Sequence, residues 1–313
     1  MSRYRVCFLG TPHFAELHLR ALLAYPEFEV VGVVTQPDRP AGRKMQLTPS
    51  PVKVTALEKN LKVLTPENLR KENNIFEEIK TWNADVAVVV AFGQILSQEF
   101  LDSFKFGAVN VHGSLLPKWR GAAPIQRSLE AGDKVTGVSL QKMVKKLDAG
   151  PVIAEKKITL DSDINATELY DRLALNGCEL VTTSLLAYLK YEIIPREQDE
   201  TQVTVAPKID KEESLLNLNL PAEKVHNKVR AFTMGPGTYF LYQGKRLKVH
   251  RTKVILGDSG FAPGQIAEVA ARLVVQTAEN QLELLEVQPE SKARQPVSEF
   301  LKSISLKKGE LFE

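Results

Sequence analysis

Asn110 and His112 stand two residues apart at the end of the apolar run Ala108–Val111. If the strand continues, that spacing turns both side chains to one face. An Asn amide can donate to a developing oxyanion, and a His can move a proton near neutral pH. A third group, Asp148, lies in the turn-like string Lys146-Leu147-Asp148-Ala149-Gly150-Pro151. A carboxylate beside His112, directly or through an ordered water, would orient the imidazole and favour its protonated form. Each residue also has a plainer reading, since a lone His is often structural and an Asp often begins a turn. Other chemistries have less support. The five His residues show no H-E-x-x-H or H-x-x-E-H spacing, so no metal is expected. Cys7 and Cys178 are too few for a disulfide framework or a four-thiolate site. No G-x-S-x-G or P-loop occurs, and Gly10-Thr11-Pro12-His13-Phe14-Ala15 lacks the dinucleotide-binding spacing.

The elements that must position these residues can be read from periodicity. Val6–Leu9, Val30–Val34, Val86–Ala91 and Ala108–Val111 are continuously apolar, as strands buried on both faces are. Between them Phe14, Leu17, Ala21 and Leu22, and then Ile75, Ile79 and Trp82, repeat at helical spacing. Alternating strands and helices predict an α/β domain with a mostly parallel, Rossmann-like sheet and helices on both faces. Sites in such sheets lie at the carboxyl ends of the strands. Asn110, His112 and the Pro-rich loop Gln36–Lys44 all fall there, and the loop could reach over a substrate. A long helix is expected over Ala166–Lys190, beginning near Asn165 or Thr167. The polar stretch 191–207 reads as a linker. Beyond it, short strand patterns (Thr238–Tyr242, Arg246–Val254, Gln265–Ala270, Leu273–Thr277, Leu282–Gln288) predict a small OB-like β-barrel over 208–313. A helix near Ala222–Ala231 precedes it and one over Val297–Ser303 follows.

At roughly 150 residues per domain, 313 residues suggest two domains. With 43% hydrophobic and 25% charged residues, fibrous and disordered classes are excluded. No run approaches the roughly 18 apolar residues of a membrane span. Met1–Arg5 leads straight into a strand pattern, so a reducing, cytoplasmic setting is expected. Charge is balanced over residues 1–200, whereas 224–253 holds Lys224, Lys228, Arg230, Lys245, Arg246, Lys248, Arg251 and Lys253 and no acidic residue. Such a stretch is a candidate footprint for a polyanion; pairing with acids from elsewhere in the fold is the alternative.

Asn110-x-His112 with Ser114-Leu115-Leu116-Pro117, followed by Leu147-Asp148-Ala149-Gly150, resembles the formyltransferase family that uses 10-formyltetrahydrofolate. Phe8–Pro12, the loop Thr35–Arg43 and the run Trp119–Ser128 resemble the branch of that family acting on methionyl-tRNA. The resemblance covers nearly the whole chain. It implies a catalytic Rossmann-like domain over 1–190 and a basic, tRNA-binding OB-like barrel over 208–313. It assigns catalysis to Asn110, His112 and Asp148, and folate binding to Ser114, Leu115, Leu116 and Pro117. Contact with initiator methionyl-tRNA falls to Arg43, and the basic stretch adds Lys245, Arg246 and Lys248 as its phosphate-binding residues. The expected acceptor is the methionyl α-amino group, in a monomeric enzyme of translation initiation. One departure stands out: the family usually has Pro-Trp-Pro-Gly after Arg-Ala-Phe, and this chain has Met234-Gly235-Pro236-Gly237. Two other classes fit the residues less well. A small-molecule formyltransferase would leave the basic barrel without a task, and a non-catalytic RNA-binding protein would not need the intact trio.

Overall fold

The structure, a computed structural model, describes residues 3–41 and 45–312. In chain order its elements are β1 (Tyr4–Gly10), α1 (His13–Ala24), β2 (Phe28–Val34), β3 (Arg39–Ala41), β4 (Gln46–Thr48), α2 (Pro51–Glu58), β5 (Val63–Leu64) and α3 (Asn73–Thr81). Then come β6 (Val86–Val90), α4 (Gln98–Asp102), β7 (Ala108–His112), β8 (Arg120–Gly121), α5 (Pro124–Ala131), β9 (Val135–Lys142), β10 (Val152–Thr159), α6 (Ala166–Glu179) and α7 (Leu185–Leu189). The remainder holds β11 (Val205–Ala206), α8 (Ala222–Ala231), β12 (Thr238–Tyr242), β13 (Lys245–Ile255), β14 (Ile266–Val269), β15 (Leu273–Gln276), β16 (Gln281–Pro289), β17 (Gln295–Pro296) and α9 (Val297–Lys302). The chain divides into two compact units. One is Met1–Gly121 with Thr136–Ile158 and Tyr170–Val205; the other is Ala122–Val135 with Thr159–Leu169 and Ala206–Glu313.

The first unit is built on a seven-stranded sheet in the order β10-β9-β7-β6-β1-β2-β5. The pairs β1–β2, β1–β6, β2–β5 and β6–β7 are parallel. Their strands are the continuously apolar runs, and β6 is buried throughout, as a strand covered on both faces must be. Cys7, Leu9, Ala87 and Val89 cluster with Phe76, Ile79 and Trp82 around α3 and with Phe100 of α4. On the other side α1 packs on β1, β2 and β6. Gly10 is needed where β1 meets α1: a Cβ there would lie 2.6 Å from Ala15 Cβ and 2.8 Å from Val90 O. β9 departs from the parallel pattern. It runs antiparallel to β7, with Asn110 opposite Gln141 and His112 opposite Ser139, so the chain re-enters the sheet from the edge it has just left.

Two sequence expectations change. The Gln36–Lys44 loop contains order, since β3 and β4 pair antiparallel from Arg39 opposite Thr48 to Ala41 opposite Gln46. The helix expected over Ala166–Lys190 is interrupted by a π-helical turn at Leu180–Ser184. There the Thr182 and Thr183 hydroxyls donate to the carbonyls of Cys178 and Glu179, competing with the backbone ladder. At its start Asn165 Oδ1 accepts from the Thr167 and Glu168 amides, and Glu168 accepts from the Asn165 amide, a reciprocal cap.

The second unit holds an antiparallel sheet in the order β12-β13-β16-β15-β14, with β17 added to β16. It wraps one core that includes Val225, Val229, Phe240, Leu247, Val249, Ile266, Leu282, Phe300 and Phe312. Both edges are capped by chain: Leu215 bridges Tyr239 on β12, and Leu311 bridges Gln265 beside β14. Arg127 on α5 binds Glu130 and Glu213. Among the described residues no helix is long and apolar enough to cross a membrane.

Candidate active site

Residues 110 and 112 share a face because β7 continues to His112. The neighbours presented on that face by β9 are Gln141 and Ser139. His112 is buried and its Nε2 lies 2.8 Å from the Trp119 carbonyl. A carbonyl only accepts, so Nε2 carries the proton in this contact. The other nitrogen, Nδ1, lies 3.7 Å from Asp148 Oδ2. That separation is too long for a direct hydrogen bond and too short to admit a water between the two atoms. Asp148 thus stands beside His112, with no direct hydrogen bond to the ring.

Asp148 is held from three sides. The Gly121 amide donates to Oδ2 at 2.9 Å, and Gln141 Nε2 donates to Oδ1 at 3.1 Å. Its own carbonyl accepts from Gln198 Nε2 at 2.8 Å. The backbone at Asp148 is left-handed, with φ 49°, a region uncommon for non-glycine residues that Asp enters more readily than most. Gly150 closes the turn, and a Cβ there would collide with the Lys142 carbonyl.

Asn110 is half-buried, and among the described residues its side-chain amide has no protein partner. It is therefore a donor without an internal claim on it. Ser114 is fully buried, its hydroxyl on the Lys118 carbonyl at 2.5 Å. The Leu116 amide donates to Ser139 Oγ, and Ser139 donates to the Ser114 carbonyl. Ser114 and Ser139 thus shape the 114–117 segment through its backbone, and Leu116-Pro117 is a cis peptide. Leu116 and Pro117 line a cavity of about 310 Å³ together with Val152, Arg196, Gln198 and Gln202. That volume is at the lower end of small-molecule sites. Among the described residues no three His, Cys, Asp or Glu are grouped to hold a metal ion.

The stretch 191–207, expected to be only a linker, does more than connect. Arg196 pairs with Val152 through two backbone hydrogen bonds. Thr204 accepts from the Trp119 amide through its hydroxyl and from the Arg120 amide through its carbonyl. Arg120 is buried and donates to Gln198 Oε1 and Glu200 Oε1. Hydrogen bonds from Arg120 and then Lys146 hold the Glu200 carboxyl at about 2. Gln141, Gln198, Trp119 O and Gly121 N were not legible as site groups. Their roles depend on antiparallel register and on a polar segment folding back across the chain.

Of the residues expected to meet tRNA, Arg43 lies outside the described residues. Lys245, Arg246 and Lys248 are exposed on β13, where Leu247 and Val249 alternate inward. The Arg246 guanidinium lies over the Tyr239 ring at 4.7 Å. Among the described residues none of the three lysine or arginine heads makes an ion pair. The rest of the basic stretch is less uniform than its sequence. Arg230 is buried and donates to Asn227 Oδ1 and to the Ile164 and Leu129 carbonyls, so it serves packing. Arg251 and Lys253 stand opposite Glu286 and Glu283. Met234 is exposed.

The sequence model of the family described as formyl transferase matches residues 4–185, and that of the formyl transferase C-terminal domain matches 208–305. The methionyl-tRNA formyltransferase of Bdellovibrio bacteriovorus is 56% identical over 99% of this chain and 99% of its own length. That of Bacillus subtilis is 38% identical over 98% of this chain and 97% of its own. Among solved structures, an N-formyltransferase from Helicobacter canadensis in complex with folinic acid and dTDP-3-aminofucose aligns at a TM-score of 0.69. It covers 91% of this chain and 99% of its own at 17% identity, a likeness of fold.

Proposed function

This chain belongs to the formyl transferase family, and on that premise we propose that it moves the formyl group of 10-formyltetrahydrofolate to the α-amino group of initiator methionyl-tRNA. The observation that carries the chemistry is the one face of β7. It presents an unclaimed Asn110 amide beside a His112 ring that is flanked by the Trp119 carbonyl and Asp148. The acceptor assignment rests on the full-length likeness to methionyl-tRNA formyltransferases and on the exposed basic strand β13.

The neutral amine attacks the formyl carbon, and its new C–N bond gives a tetrahedral centre with a developing oxyanion. The Asn110 amide donates to that oxygen, and a cationic His112 stabilises it through space. Collapse breaks the bond to N10. The nitrogen of the product amide loses one proton and N10 gains one, so no external acid or base is consumed. For His112 to carry that proton, substrate must compete with the Trp119 carbonyl for Nε2. Asp148 holds the ring and its charge. The 114–117 segment and the cavity beside it take the folate, and Arg43 reaches the acceptor end of the tRNA. Lys245, Arg246 and Lys248 bind phosphates, which positions the tRNA without reading its sequence.

The test is an acceptor screen with 10-formyltetrahydrofolate as donor. Charged initiator methionyl-tRNA should be formylated, and amino sugars, sugar nucleotides and glycinamide ribonucleotide should not. Faster transfer to a small amine than to methionyl-tRNA would sink the acceptor assignment.

A further inference from the structure

Gln198 lies in the stretch that folds back over the site, fifty residues from Asp148, yet both ends of its side chain are engaged there. Nε2 donates to the Asp148 carbonyl at 2.8 Å and to the Gly150 carbonyl at 2.6 Å. Oε1 accepts from Arg120 Nε at 3.1 Å and Nη2 at 2.8 Å. Arg120 sits between the two backbone groups that frame the catalytic pair, the Trp119 carbonyl on His112 and the Gly121 amide on Asp148. We propose that Gln198 is a positioning residue: it clamps the 148–150 turn to the 119–121 segment and so sets the Asp148 carboxylate against His112.

The chemistry at this position asks for an amide. Two carbonyl oxygens need N–H donors, while a guanidinium needs an acceptor, and only a side chain with both ends supplies them. Neutralising Arg120 is not its task, because Glu200 already pairs with that guanidinium at 2.7 Å. The turn it holds includes the left-handed Asp148 backbone, at φ 49°. A displacement of about 1 Å at a reacting group can cost roughly a hundredfold in rate. The assignment rests on the proposed formyl transfer, for which Asp148 matters.

The experiment compares wild type with Gln198→Ala and Gln198→Glu in the full chain. Glu keeps the acceptor for Arg120 but turns a carboxylate toward two carbonyls, and it serves should the Ala variant not fold. Three readings are expected. The single-turnover rate at saturating folate falls roughly ten- to a hundredfold in both variants while KM for methionyl-tRNA stays within about threefold. The Gly121 amide proton, whose hydrogen bond to Asp148 Oδ2 reports the carboxylate's place, moves upfield in the NMR spectrum. On an Asp148→Asn background, Gln198→Ala adds less than about a threefold loss, because the two act as one unit. Thr201→Ala, which disturbs the same segment away from Asp148, leaves all three near wild type. A Gly121 resonance that does not move, full additivity with Asp148→Asn, or the same losses from Thr201→Ala would overturn the assignment. Wild-type protein that ignores methionyl-tRNA would defeat the proposed function alone, since the Gly121 reading needs no turnover.

Discussion

Replacing Asp148 by Asn keeps the volume of the side chain and removes its charge. The backbone amide of Gly121 cannot reverse its polarity, so the new Oδ1 must take the place of Oδ2 on that donor. The new Nδ2 then faces Gln141 Nε2, donor against donor, and Gln141 must turn over. The fold loses two charge-assisted hydrogen bonds and keeps neutral ones, a loss of about 1–2 kcal/mol. The catalytic loss is larger. His112 Nδ1 and Asp148 Oδ2 are 3.7 Å apart, with side chains only 7% and 10% exposed. At an effective dielectric constant of about 20, opposite unit charges at that separation attract by about 4 kcal/mol. This attraction acts wherever His112 carries positive charge, which is where the oxyanion develops. The chemical step of Asp148→Asn should therefore slow by up to about three powers of ten. The assay is single-turnover formyl transfer from 10-formyltetrahydrofolate to methionyl-tRNA, with tRNA affinity measured alongside. Affinity should hold, because Asp148 lies outside the basic strand. A variant that folds, binds tRNA and transfers within about threefold of wild type would refute the electrostatic reasoning.

Asn110→Ala should slow the same step by roughly two to three powers of ten, as loss of one oxyanion donor does. Because among the described residues the amide has no protein partner, the free energy of unfolding should shift by no more than about 0.5 kcal/mol. Charge reversal at Lys245, Arg246 and Lys248 should weaken binding of any tRNA about equally. Each lost phosphate contact should flatten the slope of log affinity against log salt by about 0.7–0.9 in filter binding. The Arg127 hydrogen bonds hold the Glu213 carboxyl down at about 2 from its ordinary 4.5. A depressed carboxylate stabilises the fold above the ordinary value and loses that contribution as pH falls toward 2. Glu213→Gln should therefore cost about 1 kcal/mol at pH 7, discounted for solvent screening, and progressively less as pH falls toward 2, measured by denaturant unfolding across that range.

The elements of this protein were legible from local pattern. Continuous apolar runs marked β1, β2, β6 and β7, helical spacing marked α1 and α3, and Gly- and Pro-punctuated alternation marked β12 to β16. These are near-neighbour properties, set by which side chains a strand or helix must bury. Asn110 and His112 could be paired for the same reason, since a two-residue spacing on a strand fixes a shared face. Asp148 needed the resemblance to a family, because nothing local ties a turn residue to a strand thirty-six residues earlier. The contacts that aim the trio depended on tertiary structure. Antiparallel pairing of β9 with β7 brings Gln141 opposite Asn110, and register is a property of two strands that neither one declares. The stretch 191–207 carries the punctuation of a linker, and its polarity says only that it is not core. Its hydrogen bonds to Asp148, Gly150, Trp119 and Arg120 appear once the chain has folded back. The basic stretch shows the same division. Its composition is written in the sequence, but burial turns Arg230 inward to carbonyls, and strand alternation leaves Lys245, Arg246 and Lys248 exposed.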